Sequence, residues 1–265
     1  STSTNQQRLI AKKPVLKEPR LKTVINDGPF FNKILCFNVQ SLNNKVNELD
    51  VLLDEGGYMA LCVNEHWLNH NNCMLPKFTN YDVAAMYCRS DMKGGGVAIY
   101  LRSGLDYKHL NVDQFCSVKN IELAAIILSQ LNIILVSIYR STSGDIDIFL
   151  NNLDKLLIFL NLLKLQILIS GDFNIDITDG SVTSIRFLNV LRAAKCYCCN
   201  KDPTRGKACL DNAVSTIPRS EIFTTVLPVH FSDNEALEVF ISLKNSEVDA
   251  PELINIGRRC INDDN

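Results

Sequence analysis

Histidine is scarce in this chain, four residues in 265, and there is a single tryptophan. No apolar run is long enough to cross a membrane. The best candidate, Leu156 to Ile169, is too short and is interrupted by Asn161, Lys164 and Gln166. The first residues lack the apolar core of a secretory signal, and no N-x-S/T glycosylation acceptor occurs, so an intracellular setting is expected. Gly94-Gly95-Gly96 is followed by no helix carrying GK[ST], which excludes a phosphate-binding P-loop and leaves a turn or a close backbone approach. The net charge of −2 gives no overall basic signature for nucleic acid.

What is present is a chain with 46% hydrophobic and 21% charged residues, enough to build one large domain with a full core. Its charge is uneven. Residues 1–30 hold six Lys and Arg against Glu18 and Asp27, so this segment is +4 and the remainder −6. A basic arm of that kind can hold a polyanion or stand as a solvated tail. There are ten cysteines, several of them inside apolar runs, where a thiol behaves as a small hydrophobe. Cys196-Tyr197-Cys198-Cys199 lacks the paired C-x₂-C spacing of a zinc site. A reducing compartment, the nucleus included, fits this usage.

The arm covers residues 1–29, a dense folded pattern residues 30–244, and a polar tail residues 245–265. Apolar runs predict strands at 34–39, 59–63, 81–86, 97–101, 121–128, 133–139, 167–170, 210–214, 223–226 and 236–241. Helical spacing predicts helices over 147–163 and 185–194, and an earlier one capped by Ser41 with Leu42, Val46, Leu49 and Leu53 inward. Strands adjacent in sequence outnumber helices. That predicts an α/β protein of α+β type, with mixed sheets flanked by helices.

Several apolar runs end on a polar group: Asn38, Glu65, Tyr139, Asp172 with Asn174, Asp211, and Asp233 with Asn234. The expectation is that each lies at or near the C-terminal end of its strand, the end where α/β proteins bind ligands. Carboxylates and amides without a matching set of His or Cys suit a hard cation such as Mg²⁺, with Mn²⁺ as a substitute. Each residue also has a plain structural reading. Asn38 can end a strand on its own backbone, Asp172 can form an Asx turn, Tyr139 can be core, and Asp211 can cap a turn.

In order, the motifs are FNVQSLNNK, VNEHWL, GGGVAIY, SIYRS, SGDFNID, DPTRG, LDN and FSDN. Together they resemble the endonuclease/exonuclease/phosphatase superfamily, and more closely the apurinic-endonuclease-like domain of non-LTR retrotransposons. The resemblance runs from about Asn32 to about Phe240. It implies a four-layer α/β sandwich, two mixed β-sheets packed face to face with helices outside, and Mg²⁺-dependent cleavage of a DNA phosphodiester. It implies metal ligation by Glu65, with Asn38 and Asp233 beside it, and a scissile phosphate touched by Tyr139. Asp172 would activate water, Asn174 would bind phosphate or orient Asp172, and Asp211 would hydrogen-bond the histidine that ends the family's SDH motif.

That histidine is Asn234 here. Asn can donate a hydrogen bond but cannot titrate, so the resemblance implies metal binding with weakened cleavage. His230 lies four residues earlier and, on a strand, would stand about 13 Å away. Two readings follow: a retrotransposon-type endonuclease impaired at one residue, or a noncatalytic domain that binds nucleic acid or protein. A relative acting on RNA tails, phosphoinositides or sphingomyelin is a third, which the YR and PTR motifs disfavour.

Overall fold

Strand β1 (Phe31–Asn38) is apolar on both faces because each face meets a different layer. Ile34 and Cys36 enter one core, whereas Leu35 and Phe37 enter another. This period-two split builds the molecule. The computed structural model describes residues 31–68, 74–90 and 92–242. The basic arm and the polar tail lie outside the described residues.

Two six-stranded sheets face each other. The first contains β1, β2 (Ala60–Asn64), β3 (Tyr81–Tyr87), β4 (Val97–Arg102), β11 (Ile222–Leu227) and β12 (Ala236–Ser242), in the order β11-β12-β1-β2-β4-β3. The second contains β5 (Tyr107–His109), β6 (Glu122–Leu128), β7 (Ile133–Tyr139), β8 (Gln166–Asp172), β9 (Tyr197–Cys198) and β10 (Asp211–Ser215), in the order β5-β6-β7-β8-β10-β9. Each sheet has one parallel pair at its centre, β1 with β2 and β7 with β8. Parallel neighbours need a crossover, and a helix supplies it in both cases. Helix α1 (Val46–Gly56) joins β1 to β2, and α2 (Ile146–Leu162) joins β7 to β8. Helix α3 (Val182–Ala193) follows β8.

Three cores separate the four layers. Between the sheets lie Ile34, Cys36, Cys62, Ile99, Leu135 and Leu168 with their neighbours. Outside the second sheet, Ile134, Val136 and Ile169 meet Phe149, Leu153 and Phe187 of the helices. Outside the first, Leu61 and Val63 meet Leu49 and Leu53 of α1. The four-layer sandwich of two mixed sheets is the architecture expected from the motifs.

The structure corrects four local expectations. Ser41 does not cap α1, which begins at Val46 behind Lys45 and has no side-chain cap. Ser41 instead has φ 88° and donates its amide to the Glu65 carbonyl at 2.9 Å. Leu42 still reaches the core, from a turn. Asp211 starts its strand rather than ending it, because β10 runs antiparallel to β8. Residues 228–235, which contain HFSDN, form a connection between β11 and β12 and not a strand. Strands β5 and β9, of three and two residues, escape a periodicity reading because neither completes an alternation.

Candidate functional site

Period two decides which polar groups meet. Asn38 follows Cys36 by two residues, Asn64 follows Cys62, and Asp172 follows Ser170, so all three face the inter-sheet layer at one end. Parallel register sets Asn38 beside Asn64 and Tyr139 beside Asp172. Antiparallel register sets Asp211 beside Asp172. The sheets touch across this end through a hydrogen bond between Cys36 Sγ and Ser170 Oγ.

Asn38 is the hub. Its Nδ2 donates to Glu65 Oε1 at 2.9 Å and to Asp172 Oδ2 at 2.8 Å, tying a carboxylate of each sheet to one amide. Trp67 Nε1 donates to the other Glu65 oxygen at 2.9 Å. The Tyr139 hydroxyl also hydrogen-bonds Glu65. Asn174 donates its backbone N–H to Asp172 Oδ1 at 2.7 Å and its Nδ2 to Asp172 Oδ2 at 3.2 Å. That same Nδ2 reaches the Arg140 carbonyl at 2.6 Å. Asp172 is buried, and burial, with Asp211 nearby, holds its carboxyl well above the usual range despite these donors.

The backbone is strained where the network forms. Glu65, Trp67 and Asn174 have φ of 55°, 60° and 48°, uncommon for residues with a Cβ. The left-handed turn at Glu65 ends β2 and turns the chain, so the next residue, His66, packs behind the site. There His66 Nε2 bonds the Tyr87 carbonyl at 3.0 Å, and Nδ1 accepts the Leu68 amide at 3.0 Å. The Gly-Gly-Gly segment closes over this ring. A Cβ at Gly96 would stand 2.3 Å from the imidazole, which is the close approach the sequence suggested.

The connection before β12 forms the opposite rim. Asn234 Nδ2 and Ser232 Oγ both donate to the Asn38 carbonyl, at 3.4 and 3.5 Å. Lys45 Nζ donates to the Val39 carbonyl and reaches Ser232 Oγ at 3.4 Å. Burial depresses the Lys45 pKa, and the charges of Asp233 and Glu65 oppose that. Asp233 is exposed and acts on this lysine through its charge.

Asp211 is buried at 4% exposure. Its backbone amide donates to Thr204 Oγ1 at 3.0 Å, and the Thr204 side chain hydrogen-bonds its carboxylate. Its Oδ2 is buried with no hydrogen-bond partner among the described residues. Burial pushes this carboxyl up to about 6, against the pull of Thr204 and Arg205. Asn234 does not supply the missing contact: its Oδ1 accepts from Arg205 Nη1 at 3.5 Å while its Nδ2 points to Asn38. His230 is exposed and outside any strand, so the strand spacing does not apply to it.

The structure therefore joins Asn38, Glu65, Tyr139, Asp172 and Asn174 in one bonded network, with Asp211 and Asn234 on its border and Asp233 at its rim. Sequence reasoning missed Lys45, Trp67, Thr204 and Arg205. All four lie inside the motifs FNVQSLNNK, VNEHWL and DPTRG, but their partners come from other segments. Among the described residues, no group of three or more His, Cys, Asp or Glu side chains is placed to hold a metal ion. The described Cys196, Cys198 and Cys199 are free thiols. Cys88 is disulfide-bonded.

A hard cation fits the donors. They are oxygens, and Mg²⁺ needs only one or two protein carboxylates because it keeps waters and substrate phosphate oxygens. Glu65 takes three protein donors, Asn38, Trp67 and Tyr139, and a carboxylate has about four lone-pair sites, so one is left for a cation. Asn174 Oδ1 and Asp211 Oδ2 are buried oxygens without hydrogen-bond partners among the described residues.

Two facing mixed sheets with a polar network at one end define the class: the chain has the endonuclease/exonuclease/phosphatase fold. Among solved structures it is similar to the endonuclease domain of TRAS1, a telomere-specific non-LTR retrotransposon, at 17% identity and TM-score 0.63, over 80% of this chain and 99% of that one. It is similar to the AP endonuclease LMAP of Leishmania major, at 13% identity and TM-score 0.65, over 80% and 88%. It is also similar to the 3′ phosphatase NExo from Neisseria bound to a product DNA hairpin, at 16% identity and TM-score 0.62, over 80% and 100%. No family model and no curated protein matches the chain. Among the described residues, no helix is long and apolar enough to cross a membrane.

Proposed function

We propose that this chain is a divalent-cation-dependent DNA endonuclease of retrotransposon type, with its cleavage step weakened at Asn234. The observation that supports it is the Asn38 amide shared by Glu65 and Asp172 across two sheets. Glu65, with Asn38 and Asp233 near it, would hold Mg²⁺ or Mn²⁺, which when bound offsets phosphate charge. Asp172 is oriented by three N–H donors, and its raised pKa suits a base that takes a proton from water. Tyr139 and Asn174 flank it and would contact the phosphate. DNA as substrate is carried over from the endonucleases and the hairpin-bound phosphatase that share the fold.

Position 234 sets the rate. A histidine there could pair with Asp211 Oδ2 and carry charge, whereas Asn234 does neither. The second reading, a noncatalytic nucleic-acid-binding domain, rests on the same residue. Mg²⁺-dependent nicking of supercoiled plasmid separates them. The parent chain should nick slowly, and Asn234→His should accelerate nicking by about 10²–10⁴-fold. Adding Glu65→Ala to Asn234→His should abolish it. If Asn234→His is as slow as the parent and both match the double mutant, the noncatalytic reading holds.

A further inference from the structure

Strand β9 carries Tyr197 between two adjoining hollows on the edge of the second sheet. We propose that this edge binds single-stranded nucleic acid, with one nucleotide in each hollow and Arg192, Lys201 and Arg219 on the phosphates. The first hollow measures about 370 Å³, and Ile177, Leu188 and Leu191 give it an apolar floor. The second measures about 240 Å³ and is bordered by Phe223. Tyr197, Lys201 and Arg219 line both hollows.

The lining chemistry is that of a polynucleotide strand. The three cations are exposed, and among the described residues Asp202 is the one carboxylate lining either hollow. The Arg219 guanidinium lies 3.7 Å from the centre of the Tyr197 ring, and the Tyr197 hydroxyl is fixed on the Ile217 carbonyl at 2.5 Å. Phe223 is 45% exposed and stacked on Phe240 with centroids 4.5 Å apart, which holds its ring in one plane. The buried Cys196 and Cys198 keep their protons at neutral pH, so the wall carries no thiolate to repel a phosphate. Fixed rings beside a row of cations form the stacking platform that binds single strands without reading sequence. A lone mononucleotide would need only one hollow.

The edge borders the nuclease network. Lys201 follows Asn200, whose Nδ2 donates to the Asp211 carbonyl at 3.3 Å. A strand held here would run beside Asp211, so the role assigned to it, holding an unpaired part of the DNA substrate, rests on the nuclease reading. The binding itself does not.

The test is fluorescence anisotropy, in EDTA, of a labelled short oligothymidylate with the parent chain, an Arg192→Glu, Lys201→Glu double variant, Phe223→Ala and Lys155→Glu, across a salt series. Each phosphate contact on a single strand contributes about 0.7 to the slope of log K against log salt, so the double variant should lose about 1.4. Phe223→Ala should weaken binding roughly 5- to 160-fold. Lys155→Glu, a charge reversal on the exposed side of α2 away from both hollows, should bind like the parent, and with the metal chelated a failed nuclease reading would leave this result standing. Unchanged affinity and slope in the double variant would overturn the proposal. So would thymidine monophosphate binding as tightly as the oligomer.

Discussion

Asp211 and Asn234 border the same network without a hydrogen bond between them. Asp211 Oδ2 is buried and has no hydrogen-bond partner among the described residues, and Asn234 Nδ2 donates to the Asn38 carbonyl at 3.4 Å. An unsatisfied buried carboxylate oxygen costs stability, because water no longer solvates it and nothing replaces the water.

The cost depends on pH. Burial raises the folded-state Asp211 pKa to about 6, above the unfolded value near 3.9. The folded state then binds more protons between about pH 4 and pH 6, so this group's contribution is fully present below pH 4 and is lost as pH rises through 6. Asp211→Asn removes the titration. In EDTA it should raise stability by about 1–3 kcal/mol at pH 8 relative to the parent, with the difference shrinking toward pH 4. Urea melts at the two pH values check this, and equal differences at both would refute it.

Asn38→Asp replaces the shared donor with a third acidic group between Glu65 and Asp172. Like charges that close destabilise the fold, by about 2–4 kcal/mol here. The same charge favours a cation, so Mg²⁺ should raise the melting temperature of the variant more than that of the parent. Calorimetry with and without Mg²⁺ reads the difference.

Trp67, the single tryptophan, is bonded to Glu65, which makes it a local reporter. Titration with Mg²⁺ or Mn²⁺ should change its fluorescence along a saturable curve. The curve should vanish in Glu65→Ala. A response that survives Glu65→Ala would place the cation elsewhere.

Gly171 tests the packing of the two central strands. A Cβ there would stand 1.9 Å from the Ile138 carbonyl oxygen and 2.9 Å from Asn64 Nδ2. Backbone on the neighbouring strand cannot yield as a side chain can, so Gly171→Ala should cost about 3 kcal/mol or more. A melting temperature within a degree or two of the parent's would show that β8 can shift.

Element types were readable wherever a run was long. β6, β7 and α2 carry seven or more residues of consistent pattern and fall within a few residues of their expected bounds. The sequence pattern starts α1 too early because Leu42 is buried like a helix residue from a turn held by Ser41 to Glu65 and Leu42 to His66 hydrogen bonds, each spanning 24 positions. The site residues were visible as polar groups interrupting apolar runs, since a buried strand has little reason to end on a carboxylate. Lys45 and Trp67 gave no such signal. A lysine after a turn and a tryptophan beside a strand have ordinary solvent and core uses.

The sequence by itself determined the two-sided apolar strands, and hence a layered α/β protein. It also determined the parity that turns Asn38, Asn64 and Asp172 toward one layer, because alternation along a strand is a local property. The tertiary structure decided which of these groups touch. It set Asp211 at the start of β10 by antiparallel pairing, put a left-handed turn at Glu65, and swung Asn234 toward Asn38 instead of Asp211. Those outcomes depend on register and loop packing between segments up to about two hundred residues apart, and no local pattern encodes them.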